Sequence, residues 1–192
     1  MRLLAAAVRQ SLSVRAYKIL SDGRSPFTGW RWPLPAAAHP GEWVQASGPL
    51  GLCTNGIHAA NTTQLPHWLG MELWEIELDG EILEHEAALI AARARLTRRI
   101  EGWDEAMRQE YARWCLGRAR EITERYPAGE GLAAKVSHTI WWGGAGPAGY
   151  FTAMLAGESV TGRRDGDDYD VAFAAERAIQ TRWLSQQLAL HD

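Results

Sequence analysis

The most constraining feature of this sequence is the strict alternation of residues 71–78, MELWEIEL. Successive side chains of a β-strand point to opposite faces, so a period of two predicts a strand. One predicted face carries Leu73, Glu75 and Glu77, and the other carries Trp74, Ile76 and Leu78. Asp79-Gly80 follows and is typical of a tight hairpin turn, with residues 81–83 as the returning strand. This part of the chain is therefore expected to form antiparallel sheet.

Other segments before residue 85 also predict β-structure. VRAYKIL (14–20) and EWVQA (42–46) are strand candidates, and GIHAA (56–60) is typical of a short strand. Asn61 then caps a predicted short helix. Residues 21–42 contain four prolines and three glycines, which predicts a long ordered loop rather than a helix or a strand.

The pattern becomes helical from Glu84 onward. Residues 84–100, EHEAALIAARARLTRRI, are rich in helix formers, with acidic residues first and arginines last, as the helix dipole favours. Further helices are predicted over residues 103–126, 132–142, 150–155 and 169–190. Runs of strands followed by runs of helices predict the α+β class. We expect a single domain over residues 1–192, in which a small, mainly antiparallel sheet (14–85) packs against a helical part (86–192).

Net charge, apolar segments and cysteine content argue against several classes of function. A net charge of −3 and a pI near 6.1 argue against a general nucleic-acid binder, which usually carries a basic excess. No segment approaches the ~20 unbroken apolar residues that a membrane span needs, so no membrane association is expected. The two cysteines, Cys53 and Cys115, are too few for a disulfide framework and favour a reducing cytoplasm.

Cys53, His58 and His67 form the first group of residues with chemical potential. Zinc sites need three or four converging ligands and usually contain a close pair such as C-x-x-C, which this stretch lacks, so no metal is predicted. Cys53 with His58 could act as nucleophile and base, but spacing assigns no third orienting group. The alternative interpretation is a buried thiol beside a strand histidine.

Glu75 and Glu77 form the second group. The E-x-E spacing places two carboxylates roughly 6–7 Å apart on one strand face, where they could hold a ribose or act as acid and base. The same spacing also fits the solvent face of a half-buried strand.

Aromatic residues in and beside the loop 21–42 form the third group. Phe27, Trp30, Trp32 and Trp43 could line a pocket for a flat ligand, and the arginines Arg24 and Arg31 could pair with an anion. Alternatively these aromatics pin the loop onto the sheet, because a loop of this length is costly to order.

The segments AYKIL, FTGWRWPLP, LCTNGIHAA and ELWEIELDGEI together resemble an uncharacterised family of actinobacterial-type bacterial proteins. In that family's pattern GIHA is often followed by cysteine, and here Ala60 occupies that place. No catalytic residue carries over from this resemblance.

The order of elements also resembles ADP-ribosyltransferase folds. A first strand with Tyr17, then GIHAA and its helix, then WEIEL follow that order. This resemblance implies NAD as the ligand. It implies that Tyr17 or His58 contacts the nicotinamide ribose, and that Glu75 or Glu77 orients the attacked sugar carbon.

Two functions are consistent with these observations. The first is a small-molecule or nucleotide-binding enzyme, of which a divergent NAD-using transferase is one form. Its catalytic residues would be His58, Glu75 and Glu77, and its ligand-binding residues Tyr17, Trp30, Arg31, Trp32 and Cys53. The second is a non-catalytic module whose exposed tryptophans meet a protein partner or a second copy of the chain. The first predicts a polar pocket that holds His58 and a glutamate, whereas the second predicts an exposed apolar patch.

Overall fold

The computed structural model describes residues 8–9, 13–37, 39–141 and 144–191. The described chain is α+β, with an antiparallel sheet in the first half and four helices in the second, as the sequence predicts. It divides into two compact units. The sheet unit comprises the described residues up to Leu65, those from 71 to 101, and residue 191, and the helical unit comprises residues 66–70 and the described residues from 102 to 190. The expectation of a single domain stays a prediction.

Among the described residues, six strands form the sheet. They are β1 (Val8–Arg9), β2 (Val14–Leu20), β3 (Val44–Gln45), β4 (Ile57–Ala59), β5 (Glu72–His85) and β6 (Ala88–Arg99). The long strands β5 and β6 pair with each other at the centre. Strands β1 and β2 pair with β5, and strands β3 and β4 pair with β6, all of them antiparallel. The predicted strands at 14–20, 42–46 and 56–60 are therefore confirmed, the last two in shortened form.

The β5–β6 hairpin corrects two predictions. Asp79-Gly80 does not turn the chain back; the register shifts there instead, and β5 continues to His85. Gly80 supplies the left-handed backbone, φ +79°, that this irregularity uses. The predicted helix over residues 84–100 is wrong, because residues 88–99 form β6 and the sheet extends well past residue 85. Helix propensity was overridden by pairing with β5 and by burial of alternate residues such as Ala94 and Leu96.

The sheet closes on itself through a bridge between β2 and the end of β4. The amide of Tyr17 donates to the carbonyl of Ala60 at 2.7 Å, and the amide of Ala60 donates back at 2.9 Å. The strands β2, β5, β6 and β4 therefore surround an apolar interior. Its buried members are Ala16, Leu20, Trp32, Ile57, Ala59, Trp74, Ile76, Leu78, Ile82, Leu89, Ala91, Ala94 and Leu96.

The connections of the sheet unit are largely irregular, as expected. The described residues of the segment 21–42 contain isolated bridges but neither a helix nor a strand. Asn61 does cap the next segment, because its side-chain oxygen accepts from the amide of Gln64 at 2.9 Å. Only a 3-10 turn, Leu65–His67, follows where a short helix was predicted.

The described part of the helical unit contains four α-helices. They are α1 (Glu105–Thr123), α2 (Glu130–Ile140), α3 (Ala145–Thr161) and α4 (Asp167–Leu188). Helix α3 packs against the other three and is longer than predicted, because it includes residues 145–149 and 156–161. Helix α4 begins two residues earlier than predicted, and its N-cap is Gly166, which makes no side-chain cap hydrogen bond. In the described residues no helix has the length and apolar character needed to cross a membrane.

Candidate functional site

A pocket of about 220 Å³ lies on the face of the sheet opposite the apolar interior. Glu75 pairs with Tyr17 of β2, whereas the preceding residue, Trp74, pairs with Lys18 and belongs to the interior. Neighbouring residues on a strand point to opposite faces, so the Glu75 side chain points away from the interior. The pocket is lined by Ser13, Arg15, Glu75, Ile76, Glu77 and Thr97.

Glu75 is the most buried charged group of this pocket, with a side chain only 11% exposed. One carboxylate oxygen accepts from Nε and Nη2 of Arg98 at 3.1 and 2.9 Å. The other accepts from the Thr97 hydroxyl at 3.2 Å and lies 3.7 Å from Nε of Arg15. Both arginine side chains are more than half exposed, but the Arg98 contact is tight, whereas the Arg15 contact is long. Arg15 is therefore the cation that a ligand can recruit most easily.

Glu77 and its neighbours continue a row of acid–arginine pairs across β5 and β6. Glu77 accepts from Nε of Arg95 at 2.7 Å, and Asp79 accepts from Arg93 at 3.1 Å. The guanidinium carbons of Arg93 and Arg95 lie 4.2 and 4.5 Å from the Trp43 ring centroid. Trp43 thus packs on two arginines, and it is not among the residues that line the pocket.

Lys18 is a residue that the analysis of the sequence missed. It lies two residues from both Ala16 and Leu20, which belong to the apolar interior, so its side chain is on the same face of β2 as theirs. Its Nζ donates to the carbonyl of His58 at 2.6 Å and lies 5.3 Å from the Trp32 ring centroid. Burial lowers the pKa of Lys18 to about 8. The signal was present in VRAYKIL, as a cation at an inward position of a predicted strand.

His58 and Cys53 form a local clip rather than part of the pocket. The amide of Cys53 donates to Nε2 of His58 at 3.0 Å, and Nδ1 lies 3.2 Å from the carbonyl of Gly56. This pattern requires a neutral ring with its proton on Nδ1. Burial, the largest influence, lowers the pKa of His58 in agreement with that state. Both ring nitrogens are occupied, and the Cys53 thiol is exposed on a residue with φ +58°.

The remaining predicted ligand-binding residues lie in other places. The Tyr17 hydroxyl donates to the backbone oxygen of His191 at 2.9 Å and accepts from its amide at 2.9 Å. Trp32 is 4% exposed and belongs to the interior, whereas Trp30 packs edge-on against it and is 44% exposed. Arg31 is exposed on the loop.

Most of the predicted site residues therefore lie in three separate groups, and His58 does not share one pocket with a glutamate. Glu75 and Glu77 share the pocket, Trp30 and Trp32 share the loop, and Cys53 and His58 share the clip. Among the described residues that line the pocket, two are glutamates and none is a histidine. The arrangement of glutamates, an arginine and hydroxyls can accept and donate hydrogen bonds to a polar ligand.

The helical unit contains a buried polar network that no motif predicted. The Tyr111 hydroxyl of α1 donates to Oε1 of Gln180 in α4 at 3.1 Å, and Nε2 of Gln180 donates to the carbonyl of Gly149 in α3 at 2.9 Å. Burial raises the pKa of Tyr111, and it raises the pKa of the Cys115 thiol to about 12. A thiol with so high a pKa is a poor nucleophile.

Comparisons with known proteins do not assign this chain to a family. No protein-family model, no curated protein and no solved structure matches it. Within the described ranges, no group of three or more His, Cys, Asp or Glu side chains is arranged to hold a metal ion. The two resemblances seen in the sequence stay predictions, and the proposals that follow are argued from geometry.

Proposed function

We propose that this protein binds a small hydroxyl-bearing anion of the ribose-nucleotide class in the Glu75–Glu77 pocket, and that it is an NAD-using transferase. The observation that supports this most is the pocket itself, in which two carboxylates, one exposed arginine and two hydroxyl side chains converge. The ADP-ribosyltransferase-like order of elements makes NAD the first ligand to test.

The chemistry of the lining fits such a ligand. Ionised carboxylates accept hydrogen bonds only, so Glu75 and Glu77 suit the vicinal hydroxyls of a ribose. Arg15, held by a single long contact, suits a phosphate or carboxylate oxygen. A volume of about 220 Å³ is smaller than the roughly 300–1,000 Å³ of pockets that enclose drug-sized ligands. One sugar-sized group therefore occupies the pocket, and the rest of the nucleotide lies outside it.

The test is a thermal-shift and calorimetric titration of the purified chain with NAD, ADP-ribose, ADP and ribose 5-phosphate. A ligand at about 100 times its Kd adds roughly 2.7 kcal/mol of stability. We expect a shift with at least NAD and ADP-ribose, and its loss in Glu77→Gln and Arg15→Gln. Glu81→Gln, an exposed site on the same strand outside the pocket lining, is the matched control and should keep binding.

The proposed transferase activity is tested by a separate assay. Release of nicotinamide from NAD, measured by chromatography, should depend on Glu77 and persist in Glu81→Gln. Binding without nicotinamide release would reduce the proposal to a binding protein. An absence of any shift with the four ligands would overturn the proposal.

A second candidate function, self-association, rests on the loop tip around Phe27. Phe27 is 88% exposed and Leu34 is 47% exposed, yet the loop is well bonded. The Ser25 amide donates to the Trp30 carbonyl at 2.9 Å, and the Trp32 indole donates to the Ser25 hydroxyl at 2.8 Å. An exposed aromatic that is already ordered loses little entropy on binding, which favours a contact role.

Charge complementarity points to a second copy of the chain as the occupant. Arg24 and Arg31 flank the tip, and within the described part of the chain neither lies within salt-bridge distance of a carboxylate. The exposed start of α4 offers Asp167, Asp168 and Asp170 beside Val171, which is 68% exposed. A basic apolar tip on one copy thus matches an acidic apolar helix start on the other.

Light scattering across a concentration series tests this second candidate. We expect a dimer or larger assembly that Phe27→Ser abolishes. Arg24→Glu with Arg31→Glu should also abolish it, and adding Asp167→Arg with Asp168→Arg should restore it. A chain that stays monomeric at all concentrations would exclude the self-associating module.

We propose a reducing compartment, the cytoplasm, as the place where the protein works. Cys53 and Cys115 are both free thiols, and Cys53 is exposed. An exposed thiol without a partner is better tolerated where thiols are kept reduced.

A further inference from the structure

Lysine is rare in this chain, and one lysine lies in an unusual place. Only two of the twenty lysine and arginine residues are lysines, Lys18 and Lys135. Lys135 is exposed on α2. Lys18 instead is half-buried on the face of β2 that carries Ala16 and Leu20 of the apolar interior. Lysines are mostly exposed in folded proteins, so a half-buried lysine on an apolar face calls for a physical explanation.

The surroundings of the Lys18 amine do not neutralise its charge. Its Nζ donates to a backbone carbonyl, that of His58, and lies against the face of Trp32. The adjacent acid on β5, Glu72, accepts from the Gly23 amide at 3.2 Å and from the Trp74 indole at 3.1 Å. Among the described residues, no carboxylate lies within salt-bridge distance of Lys18.

An amine in such a setting is more reactive than an exposed one. Desolvation without a counter-ion disfavours the ammonium form, and the pKa of about 8 expresses that cost. At pH 7 roughly 10% of the Lys18 amine is then neutral, against roughly 0.04% for a lysine with a pKa of about 10.4. Desolvated lysines of this kind form Schiff bases with carbonyl compounds.

We propose that Lys18 is a nucleophilic amine that captures small aldehydes as imines. The neutral amine can keep one N–H on the His58 carbonyl, which fixes the nitrogen while its lone pair stays available. The Trp32 ring offers a flat apolar surface for the rest of the aldehyde.

The proposed step balances with water alone. The nitrogen lone pair forms a bond to the carbonyl carbon, and the π electrons move to the oxygen, which takes a proton. The nitrogen loses a proton to water and a carbinolamine results. The nitrogen lone pair then forms the C=N bond as the hydroxyl leaves with a proton taken from water, which gives an iminium. The iminium returns its N–H proton to the water, so the products are one imine and one water.

Reductive alkylation of the whole chain tests this proposal. Propanal and sodium cyanoborohydride are added at pH 7 for short times, and the modified peptides are quantified by mass spectrometry. We expect Lys18 to be labelled at least tenfold faster than Lys135, although Lys135 is the more exposed amine. Equal rates, or faster labelling of Lys135, would overturn the proposal.

Two controls separate reactivity from accessibility. In guanidinium chloride the two lysines should react at similar rates, because the preference comes from the folded environment. Lys18→Arg retains a cation but offers no amine, and it should remove the fast label without slowing that at Lys135. A fast label that persists in Lys18→Arg would come from another amine and would contradict the proposal.

This inference is independent of the proposed ligand pocket. Lys18 faces the interior with Trp74, whereas Glu75 faces the pocket. Failure of NAD binding therefore leaves the Lys18 proposal standing, and failure of aldehyde capture leaves the pocket proposal standing.

Discussion

The Lys18 side chain is hydrogen-bonded to the backbone of His58, with its Nζ 2.6 Å from the His58 carbonyl oxygen. The two residues belong to β2 and β4, the strands that also meet at the Tyr17–Ala60 bridge. The Lys18 side chain thus provides a hydrogen-bond donor for a carbonyl at the place where β2 and β4 close the sheet. A neutral amine can donate this hydrogen bond as well as an ammonium can, so closure of the sheet does not require a charged Lys18.

The first prediction concerns the pH dependence of stability. Burial lowers the pKa of Lys18 from 10.5 to about 8 in the folded chain. Between these values the unfolded state binds the extra proton, so the contribution of Lys18 to the free energy of unfolding rises with pH. We expect the wild type to gain about 1–3 kcal/mol relative to Lys18→Met between pH 7.5 and 10.

Urea denaturation of both proteins at several pH values measures this difference. The comparison also removes the influence of Cys115, whose raised pKa makes stability fall as pH rises above 9. A difference between the two proteins that stays constant over this range would show that Lys18 is not desolvated.

The second prediction concerns Gly149 in α3. A Cβ built there would lie 2.5 Å from the Tyr111 hydroxyl and 2.9 Å from Oε1 of Gln180, both of which are fully buried. Gly149→Ala should therefore destabilise the chain by about 2–4 kcal/mol, as overpacked cores and broken buried networks do.

Gly117 in α1 provides the matched control, because nothing lies within 4 Å of its added Cβ. Gly117→Ala should stabilise the chain by about 0.4–1 kcal/mol, since alanine is the better helix former. Thermal melts of the two variants should move in opposite directions. A neutral Gly149→Ala would mean that the three helices do not pack as described.

The third prediction concerns the ion pair between Glu176 and Arg118. Glu176 is 3% exposed and accepts from Nη2 of Arg118 at 2.8 Å. Removing one partner leaves the other charge poorly solvated, so Glu176→Gln should cost about 2–4 kcal/mol. Glu121→Gln removes a mostly exposed partner of the same arginine and should cost less than about 1 kcal/mol. Chemical denaturation measures both, and equal effects would contradict the buried position of Glu176.

The fourth prediction concerns the two thiols. Cys53 is exposed, whereas Cys115 is fully buried and has its pKa raised to about 12. A thiol reagent at pH 8 should therefore modify one cysteine of the folded chain within minutes and both after denaturation. Cys53→Ser should abolish the fast phase. Fast modification of Cys115 in that variant would show that the helical unit opens readily.

Sequence patterns predicted much of the first half of the fold, and the reason is local. The strand at residues 14–20 has the bounds that its β-favouring residues indicate. Within the segment 21–42, the residues that the structure describes form neither a helix nor a strand, because proline removes backbone donors and glycine breaks regular structure. The helices after residue 104 follow from helix-forming residues with clear breaks at 127–129 and 162–166.

Residues 88–99 and Asp79-Gly80 show where local patterns fail. ALIAARARLTRR favours a helix by propensity, and it becomes a strand because β5 supplies backbone partners along its length. Asp79-Gly80 favours a turn, and it becomes an irregularity within β5 because the ladder continues on both sides. Tertiary pairing outweighs propensities of a few tenths of a kcal/mol per residue.

For the candidate sites, the amino-acid sequence specifies which chemical groups are available, such as the E-x-E pair and the Cys53–His58 spacing. Which of these groups meet depends on the fold. Folding places Glu75 and Glu77 in one pocket, occupies both ring nitrogens of His58 with backbone groups, and brings the Lys18 amine against the His58 carbonyl. The physical reason is that strand pairing and sheet closure fix which residues become neighbours, and these contacts join residues far apart in the chain.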